Sequence, residues 1–537
     1  MIDLTKLKGI ELRRLNHIGW GLKKEYSEAI FSTIEKTDFK NYFWHPFFSK
    51  NTYVCNAYDS VVRYFYILNY NRPLKAIKIY DIHVSKALLK LCKQRGVKVT
   101  IEKTRSNKIF RFGIIKFILW FFIDKTLYKL SRHRVSKEIF KSGGSNKFVI
   151  CETVYYKNTY SDQSLKDRHF FNTFNKLNEQ GVGVVIFPFV YGFFNYYNLY
   201  RKVIKTNLEH VFLASFTKFT DLINVLSHVK SLRKVNKNFI INGVDFSDVA
   251  NRSIKRLKYK PSSLVSVLKY IVTKRFALEK LPKKTSVLKW FEGSEVDRMS
   301  VLGWREVGGI NNLIGYYDAF PPNNYLSPYL FRDDFIYKLV PDHLFFISEA
   351  VKEDFVKNVS SDNVHITGSL RIDLQNEEHT SNDFNLCLAV LPFDSAVAKY
   401  IFQLIVDIAS DLPNDLQLII RPHPSDNAVY EIDSTKVLVE RNTPFNKLLV
   451  KADFVIGNSS STVTEAYLNN KKVGLVQLPG ELSSSPIPMT ASLDFVREIF
   501  DADDLLNFLR LDSTNTIRNH SISLDKKLPI DDFIKYI

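Results

Sequence analysis

Two stretches in the last third of the chain carry residue types that suit phosphate. Residues 416–427 read LQLIIRPHPSDN, an apolar run of strand type that ends in Arg421, Pro422, His423 and Pro424. Residues 457–466 read GNSSSTVTEA, where a strand ends in glycine and Asn458, Ser459, Ser460 and Ser461 lead into a helix. A helix N-terminus offers unpaired backbone N–H groups and the positive end of its dipole, and serine hydroxyls add further donors. Taken singly, an HP pair reads as a turn and a serine run as an N-cap. At adjacent strand ends of one parallel sheet, the two together describe a pocket for a monophosphate or diphosphate. Glu465, one helical turn further on, is then placed for a ribose hydroxyl, or is a plain exposed helix carboxylate. Arg421 either reaches the nucleotide or braces the domain.

Such a pocket needs a doubly wound sheet, and the surrounding pattern supplies one. From about residue 383, short apolar runs at 386–393, 416–422, 436–440, 453–458 and 472–478 alternate with helical spacing. That alternation specifies an α/β domain with a parallel sheet. The front half repeats it less cleanly, with strand-like runs at 147–153, 182–190, 286–293 and 311–318. A second α/β domain is therefore expected over about 145–375, with residues 1–140 adding its first strands and a basic apolar segment. The stretch 228–285 has no clear place in this scheme. Polar residues 373–383 read as a linker. The expected boundaries are 1–375 for the first domain, 384–520 for the second and 521–537 for a C-terminal tail.

The net charge of +19 is unevenly spread. Residues after 380 carry roughly −7, leaving roughly +26 on the front, so the front is expected to meet something anionic. No RNA-binding aromatic motif or Cys/His finger is present, which argues against nucleic acid. Segment 108–134, KIFRFGIIKFILWFFIDKTLYKLSRHR, is apolar, interrupted by Lys116 and Asp124, and flanked by Lys and Arg. Its apolar part is shorter than the ~20 residues of a spanning helix. It reads either as a helix lying in a membrane interface with its cations on anionic headgroups, or as a buried helix between lobes. Four cysteines (Cys55, Cys92, Cys151, Cys387) without CxxC spacing argue against a disulfide framework or zinc site and fit a reducing compartment. The start has no apolar signal core. A cytoplasmic protein, peripherally held at the inner membrane, is expected.

RPHP followed by GNSSSTVTEA and KKVGLV resembles the nucleotide-binding domain of GT-B glycosyltransferases. The likeness is greatest to the bacterial groups with an HP motif and a serine motif: sialyltransferases, polysialyltransferases, Kdo transferases and related surface-carbohydrate enzymes. The resemblance spans about residues 147–500. It implies two Rossmann-like domains facing a central cleft, an acceptor-binding first domain and a second that binds the nucleotide sugar. His423, Ser459, Ser460 and Ser461 would hold the phosphate and cytidine of a CMP-activated sugar. Residues 288–320, LKWFEGSEVDRMSVLGWREVGGINNLIGYYDAF, are similar to the carboxylate-bearing loop of such enzymes, with Asp318 where their histidine usually stands. Residues 341–355 and 364–373 resemble the segment entering the interdomain hinge.

The expected activity is transfer of a CMP-linked ulosonic acid (sialic, legionaminic or pseudaminic type, or Kdo) to a capsule or O-antigen acceptor, anionic or lipid-linked. The enzyme must stabilise charge on the departing phosphate and deprotonate the acceptor hydroxyl. Glu292, in FEG at a strand end, is the first choice of base, with Glu295, Asp297 and Asp318 in reserve. Asp162 and Asp167 follow strand 147–153 and would serve a retaining mechanism as nucleophile or electrostatic partner, with Arg168 and His169 on the sugar carboxylate. No DxD-type pair stands in a position for metal-bound nucleotide, so neither metal nor cofactor is expected. The same motifs also suit a UDP-sugar or CDP-glycerol donor, a nucleotide-sugar 2-epimerase, or a glycan-binding scaffold without catalysis.

Overall fold

The computed structural model describes residues 1–537 except 35, 104–112, 132–134, 136–146, 156–158, 162, 163, 166, 168, 191–195, 207, 233–236, 282–284, 321, 357–361, 372–384, 425, 488–494 and 512–528. Three parallel sheets, beside two small antiparallel ribbons (Tyr160–Ser161 with Ser164–Leu165, and Ile240–Ile241 with Val244–Asp245), organise these residues, and the strands numbered below are those of the parallel sheets. The strands are β1 (Ile2–Asp3), β2 (Ala76–Tyr80), β3 (Lys98–Glu102), β4 (Phe148–Tyr155), β5 (Gly183–Val190), β6 (Glu209–His210), β7 (Thr285–Trp290), β8 (Ile310–Tyr317), β9 (His343–Phe346) and β10 (Val364–Ile366). The second domain contributes β11 (Asn385–Val390), β12 (Leu416–Arg421), β13 (Val437–Val439), β14 (Phe454–Gly457), β15 (Lys472–Val476) and β16 (Val496–Ile499).

The seven-stranded sheet runs β10-β9-β8-β7-β4-β5-β6 and the six-stranded sheet β13-β12-β11-β14-β15-β16. Both therefore start in the middle, wind to one edge, and return to wind to the other. Two doubly wound α/β domains with parallel sheets are what the sequence led one to expect. In such sheets the strand order reverses at one point, here between β4 and β7 and between β11 and β14. Ligands bind beyond the carboxyl ends of the strands there. The central strands are apolar because both faces are covered: every residue of Thr285–Trp290 is buried, as are five of the six in Asn385–Val390.

Residues 1–103 do not extend the seven-stranded sheet. They form their own β1-β2-β3 sheet, with helices Gly9–Gly21, Ala57–Leu68 and Lys86–Gln94. This unit is joined to the second domain through backbone groups. Gly480 N donates to Leu7 O (2.9 Å), Ser483 N to Asn16 Oδ1 (2.8 Å), and Arg63 reaches Gly480 O (2.5 Å) and Leu4 O (2.7 Å). Gly480 has φ +70°, and a Cβ there would lie 2.4 Å from the Thr5 carbonyl carbon, so only glycine fits without displacement.

Residues 529–537, assigned from sequence to a tail, fold back onto the first domain. Helix Pro529–Ile534 buries Phe533 against Tyr316 and Phe345, and Thr367 Oγ1 donates to Asp532 (2.9 Å). A short apolar face of Ile530, Phe533 and Ile537 is enough to hold it. The stretch without a clear place from sequence holds helices Ser247–Leu257 and Pro261–Lys280, preceded by Phe219–Ser231. Residues 373–383, read as the linker, lie outside the described residues.

Candidate functional site

A cleft of about 980 Å³ opens at the β11/β14 reversal of the second domain. Its floor is the strand-end loops: Pro392, Phe393 and Asp394 after β11, His423 after β12, and Asn458, Ser459, Ser460 and Ser461 after β14. Of the donor-side residues expected from sequence, these five (His423, Asn458 and the three serines) meet in one wall. Arg421, Pro424 and Glu465 do not line it. Arg421 instead turns to the sheet edge, where its guanidinium donates to Glu440 O (3.4 Å).

The five are not equivalent. Asn458 is committed internally: Nδ2 donates to Val476 O (2.6 Å), and Oδ1 accepts from Ser484 Oγ (2.8 Å). Ser460 is the N-cap of helix Ser461–Leu468, its Oγ accepting from Thr462 N at 3.3 Å. Phe393, 71% exposed, stands edge-on to the His423 ring with centroids 5.5 Å apart. An exposed ring at the mouth of this wall presents a face on which a planar group can stack. The sequence reading overlooked it; its signal was an aromatic directly after the first strand of the domain.

The wall opposite comes from residues 1–103, joined by Asn324 from the loop after β8. Asp59 and Arg63, one turn apart on helix Ala57–Leu68, and His83, at the end of the short 3₁₀ turn Asp81–His83, line it. His83 Nδ1 lies 2.8 Å from Asp59 Oδ2, and Arg63 Nε lies 3.2 Å from Asp59 Oδ1. Burial alone would raise the Asp59 carboxyl, but Arg63 and then His83 hold it well below the usual carboxylate range. Burial lowers the His83 imidazole below its ordinary value of 6.5, against the opposing pull of Asp59. The pair at neutral pH is thus an ionised carboxylate and a neutral ring. A proton on Nδ1 facing Asp59 leaves Nε2 as an acceptor, the state of a general base. Sequence reasoning missed this pair. The available signals were a histidine just past strand-like AIKIYDI and the Asp59/Arg63 spacing.

Glu292 does not line the cleft, contrary to its expected place across from the phosphate. It lies just past β7, its Oε1 accepting from Trp290 Nε1 (2.8 Å), and borders a separate cavity of about 220 Å³ at the β4/β7 reversal. Glu152, Thr153, His169, Lys269 and Asp297 share that cavity. Glu152 is clamped between Lys269 and Lys289, both at 3.1 Å, and accepts from Ser300 Oγ at 2.7 Å. Burial would raise its carboxyl, but the two lysines bring it down to about 2.

Two other expected catalytic carboxylates are structural. Asp318 is fully buried and accepts from Ser369 Oγ (2.5 Å), Leu370 N (2.9 Å) and Arg371 N (3.0 Å). Asp167 accepts from the backbone N–H of His169 (2.8 Å) and Phe170 (2.7 Å) and from Thr153 Oγ1 (2.7 Å). Burial raises both carboxyls. Each satisfies the N–H groups of a tight turn, which a short acidic side chain near a strand end does as readily as it binds a ligand. Glu295 accepts from Asn51 Nδ2 (2.8 Å), and Asp297 forms the capping box of helix Glu295–Arg305 with Ser294. Asp162 and Arg168 lie outside the described residues. Among the described residues, no group of three or more His, Cys, Asp or Glu is placed to hold a metal ion.

No family model matches the chain, and no curated protein does. Among solved structures, the chain is similar to the glycotransferase of kitacinnamycin (TM-score 0.41, 12% identity, 69% of this chain and 91% of that one). It is also similar to the lipopolysaccharide outer core galactosyltransferase WaaB (0.41, 12%, 73% and 98%). A third is S. aureus MnaA in complex with UDP (0.40, 12%, 67% and 86%). The functional reading rests on the geometry of the cleft.

Proposed function

We propose that the chain is a glycosyltransferase that moves a CMP-activated ulosonic acid, of sialic, legionaminic or pseudaminic type or Kdo, to a surface-glycan acceptor at the cytoplasmic face of a membrane. One observation carries the reading. A hydroxyl-rich strand-end wall, with His423 beside Ser459 and Ser461, faces a carboxylate-backed histidine across a single cleft. The first wall suits a departing phosphate and the second an incoming hydroxyl. Among the described residues on the second-domain side there is no Lys or Arg, whereas Asp394 and Glu481 are present. That balance favours a single phosphate diester over a diphosphate, hence CMP over UDP or CDP donors.

The step follows from these positions. His83 takes the proton of the acceptor hydroxyl, and that oxygen bonds to the anomeric carbon. The bond from that carbon to the phosphate oxygen breaks, and CMP leaves with the electron pair. His423 and the serine hydroxyls stabilise the charge that develops on the phosphate, and Asp59 stabilises the imidazolium. Beside His83, a second cavity of about 250 Å³ shares Asn56 and Ile82 with the cleft and is lined by Arg252, Ser253 and Arg256, with Asp81 on its rim. Its two guanidiniums suit a carboxylate or phosphate on the acceptor.

Calorimetric titration of the full chain with CMP, CDP and UDP tests the donor. Binding of CMP at least about tenfold tighter than UDP, some 1.4 kcal/mol, is expected. Tight UDP and no CMP binding would overturn the assignment.

A further inference from the structure

The apolar segment read from sequence resolves into a helix, Gly113–Ser131, whose two sides have opposite roles. Its inner side is fixed. Phe117 and Phe121 are buried in the core, Trp120 Nε1 donates to the Tyr196 hydroxyl (3.1 Å), and Tyr128 packs edge-on against Tyr200. Asp124, the acid interrupting the run, is also turned inward, where the Tyr200 hydroxyl donates to it. The outer side is a stripe of exposed Ile115, Leu119, Phe122, Ile123 and Leu130 at helical spacing. Lys116 and Lys129 share this face, and none of its residues is acidic.

The stripe does not end with its own helix. The Phe122 ring lies 5.8 Å from that of Phe219, which begins helix Phe219–Ser231 and is 55% exposed; Ile223, one turn on, is 70% exposed. Lys129 Nζ stands 6.0 Å from the Phe219 ring, while Lys218 at the rim is paired with Glu279 at 3.5 Å. An apolar patch of this extent, continuous over two helices and edged by cations, exceeds what scattered surface hydrophobics account for. Among the described residues, no helix is long and apolar enough to cross a membrane.

We propose that this face, Ile115, Leu119, Phe122 and Ile123 together with Phe219 and Ile223, rests on the surface of an anionic phospholipid bilayer. The apolar side chains enter the acyl boundary while Lys116 and Lys129 meet the headgroup phosphates. The helix lies in the plane of the interface as a rigid part of the domain, because its inner side is locked into the core. The inference uses none of the cleft residues and stands or falls apart from the transferase reading.

Sedimentation of the full chain with vesicles tests it. Phosphatidylglycerol–phosphatidylcholine vesicles should bind the chain at least about tenfold better than phosphatidylcholine alone, and added salt should weaken that binding. The variant carrying Leu119→Ser, Phe122→Ser and Phe219→Ser should lose vesicle binding by about tenfold or more and keep its circular dichroism and cooperative urea unfolding, which report that it is folded. A Thr126→Cys variant gives an independent reading, since the native cysteines are buried and a polarity-sensitive dye on that exposed position should shift to the blue on anionic vesicles only. Absence of a dye shift, or equal vesicle binding by wild type and triple variant, would overturn the proposal. So would a dimer in light scattering that the triple variant converts to monomer, because the face would then cover a second copy.

Discussion

The two large sheets share one winding order, yet their reversal points have been put to different uses. At the β4/β7 point, charge is matched inside the protein: Glu152 lies between Lys269 and Lys289, and Asp297 is 3.5 Å from Lys289. The cavity left there is about 220 Å³. At the β11/β14 point the loops carry serines, a histidine and an exposed phenylalanine, and about 980 Å³ of space remains. A buried ion pair holds its members for each other, because separating them leaves an uncompensated charge. Serine hydroxyls carry no fixed charge to be matched, and they can turn toward something that arrives. Topology alone therefore names two candidate sites, and the side chains choose between them.

The sharpest way to break this comparison is to exchange the base. His83→Ala should lower turnover about a thousandfold with donor affinity kept, the usual scale of a lost general base. Glu292→Gln should cost less than about tenfold. The reverse ranking would move the chemistry to the β4/β7 point. Because burial holds the His83 ring below 6.5, the acid limb of kcat/KM should fall below that pH. A limb above pH 6.5 would remove His83 from the role.

Stability should answer to the other reversal point. Glu152→Ala leaves Lys269 and Lys289 buried together, at a cost of about 3–5 kcal/mol in urea unfolding. The pH dependence has a definite sign. The Glu152 carboxyl sits at about 2 in the folded chain against 4.5 ordinarily, so the folded state binds fewer protons between those values. Its contribution is complete above about pH 4.5 and is lost as pH falls toward 2. The urea midpoint of wild type should drop through that window relative to Glu152→Gln. Parallel curves would mean that the clamp contributes nothing.

These contrasts also explain what was legible in the sequence. The second domain was readable because strands covered on both faces are unbroken apolar runs that stop abruptly at Gly457 or at Pro422. The wall of His423 and the serines was readable because its residues are contiguous in each loop. The His83–Asp59 pair was not, since its members sit on separate elements 24 residues apart in a segment taken for extra strands. Asp167 and Asp318 were misplaced for a different reason. A carboxylate near a strand end serves a ligand or a turn N–H equally well, and only the fold of the following residues decides. Asp124 read as a break in an apolar run, when it faces Tyr200 and leaves the outer stripe free of acid.

A third test concerns the seam between the walls. Gly480→Ala places a methyl against Thr5 backbone at a positive φ, so the first unit must shift from the second domain. A loss of about 1–3 kcal/mol is expected, together with weaker turnover, because His83 and His423 sit on opposite sides of that seam. Unchanged stability and turnover would show that the two walls do not depend on this contact.

The smallest effects should separate the serines by what each already does. Ser460 caps its helix through Thr462 N, so Ser460→Ala should cost about 1 kcal/mol of stability. Ser459 and Ser461 do not fill that role. Ser459→Ala and Ser461→Ala should leave the unfolding midpoint within about 0.5 kcal/mol of wild type. Each should instead weaken CMP by about fivefold, the scale of one neutral hydrogen bond. The comparison is between neighbours of one residue type in one loop, so composition and exposure are nearly held constant. Should all three lose stability alike and none lose affinity, the loop would be a capping motif and the cleft would bind its donor elsewhere.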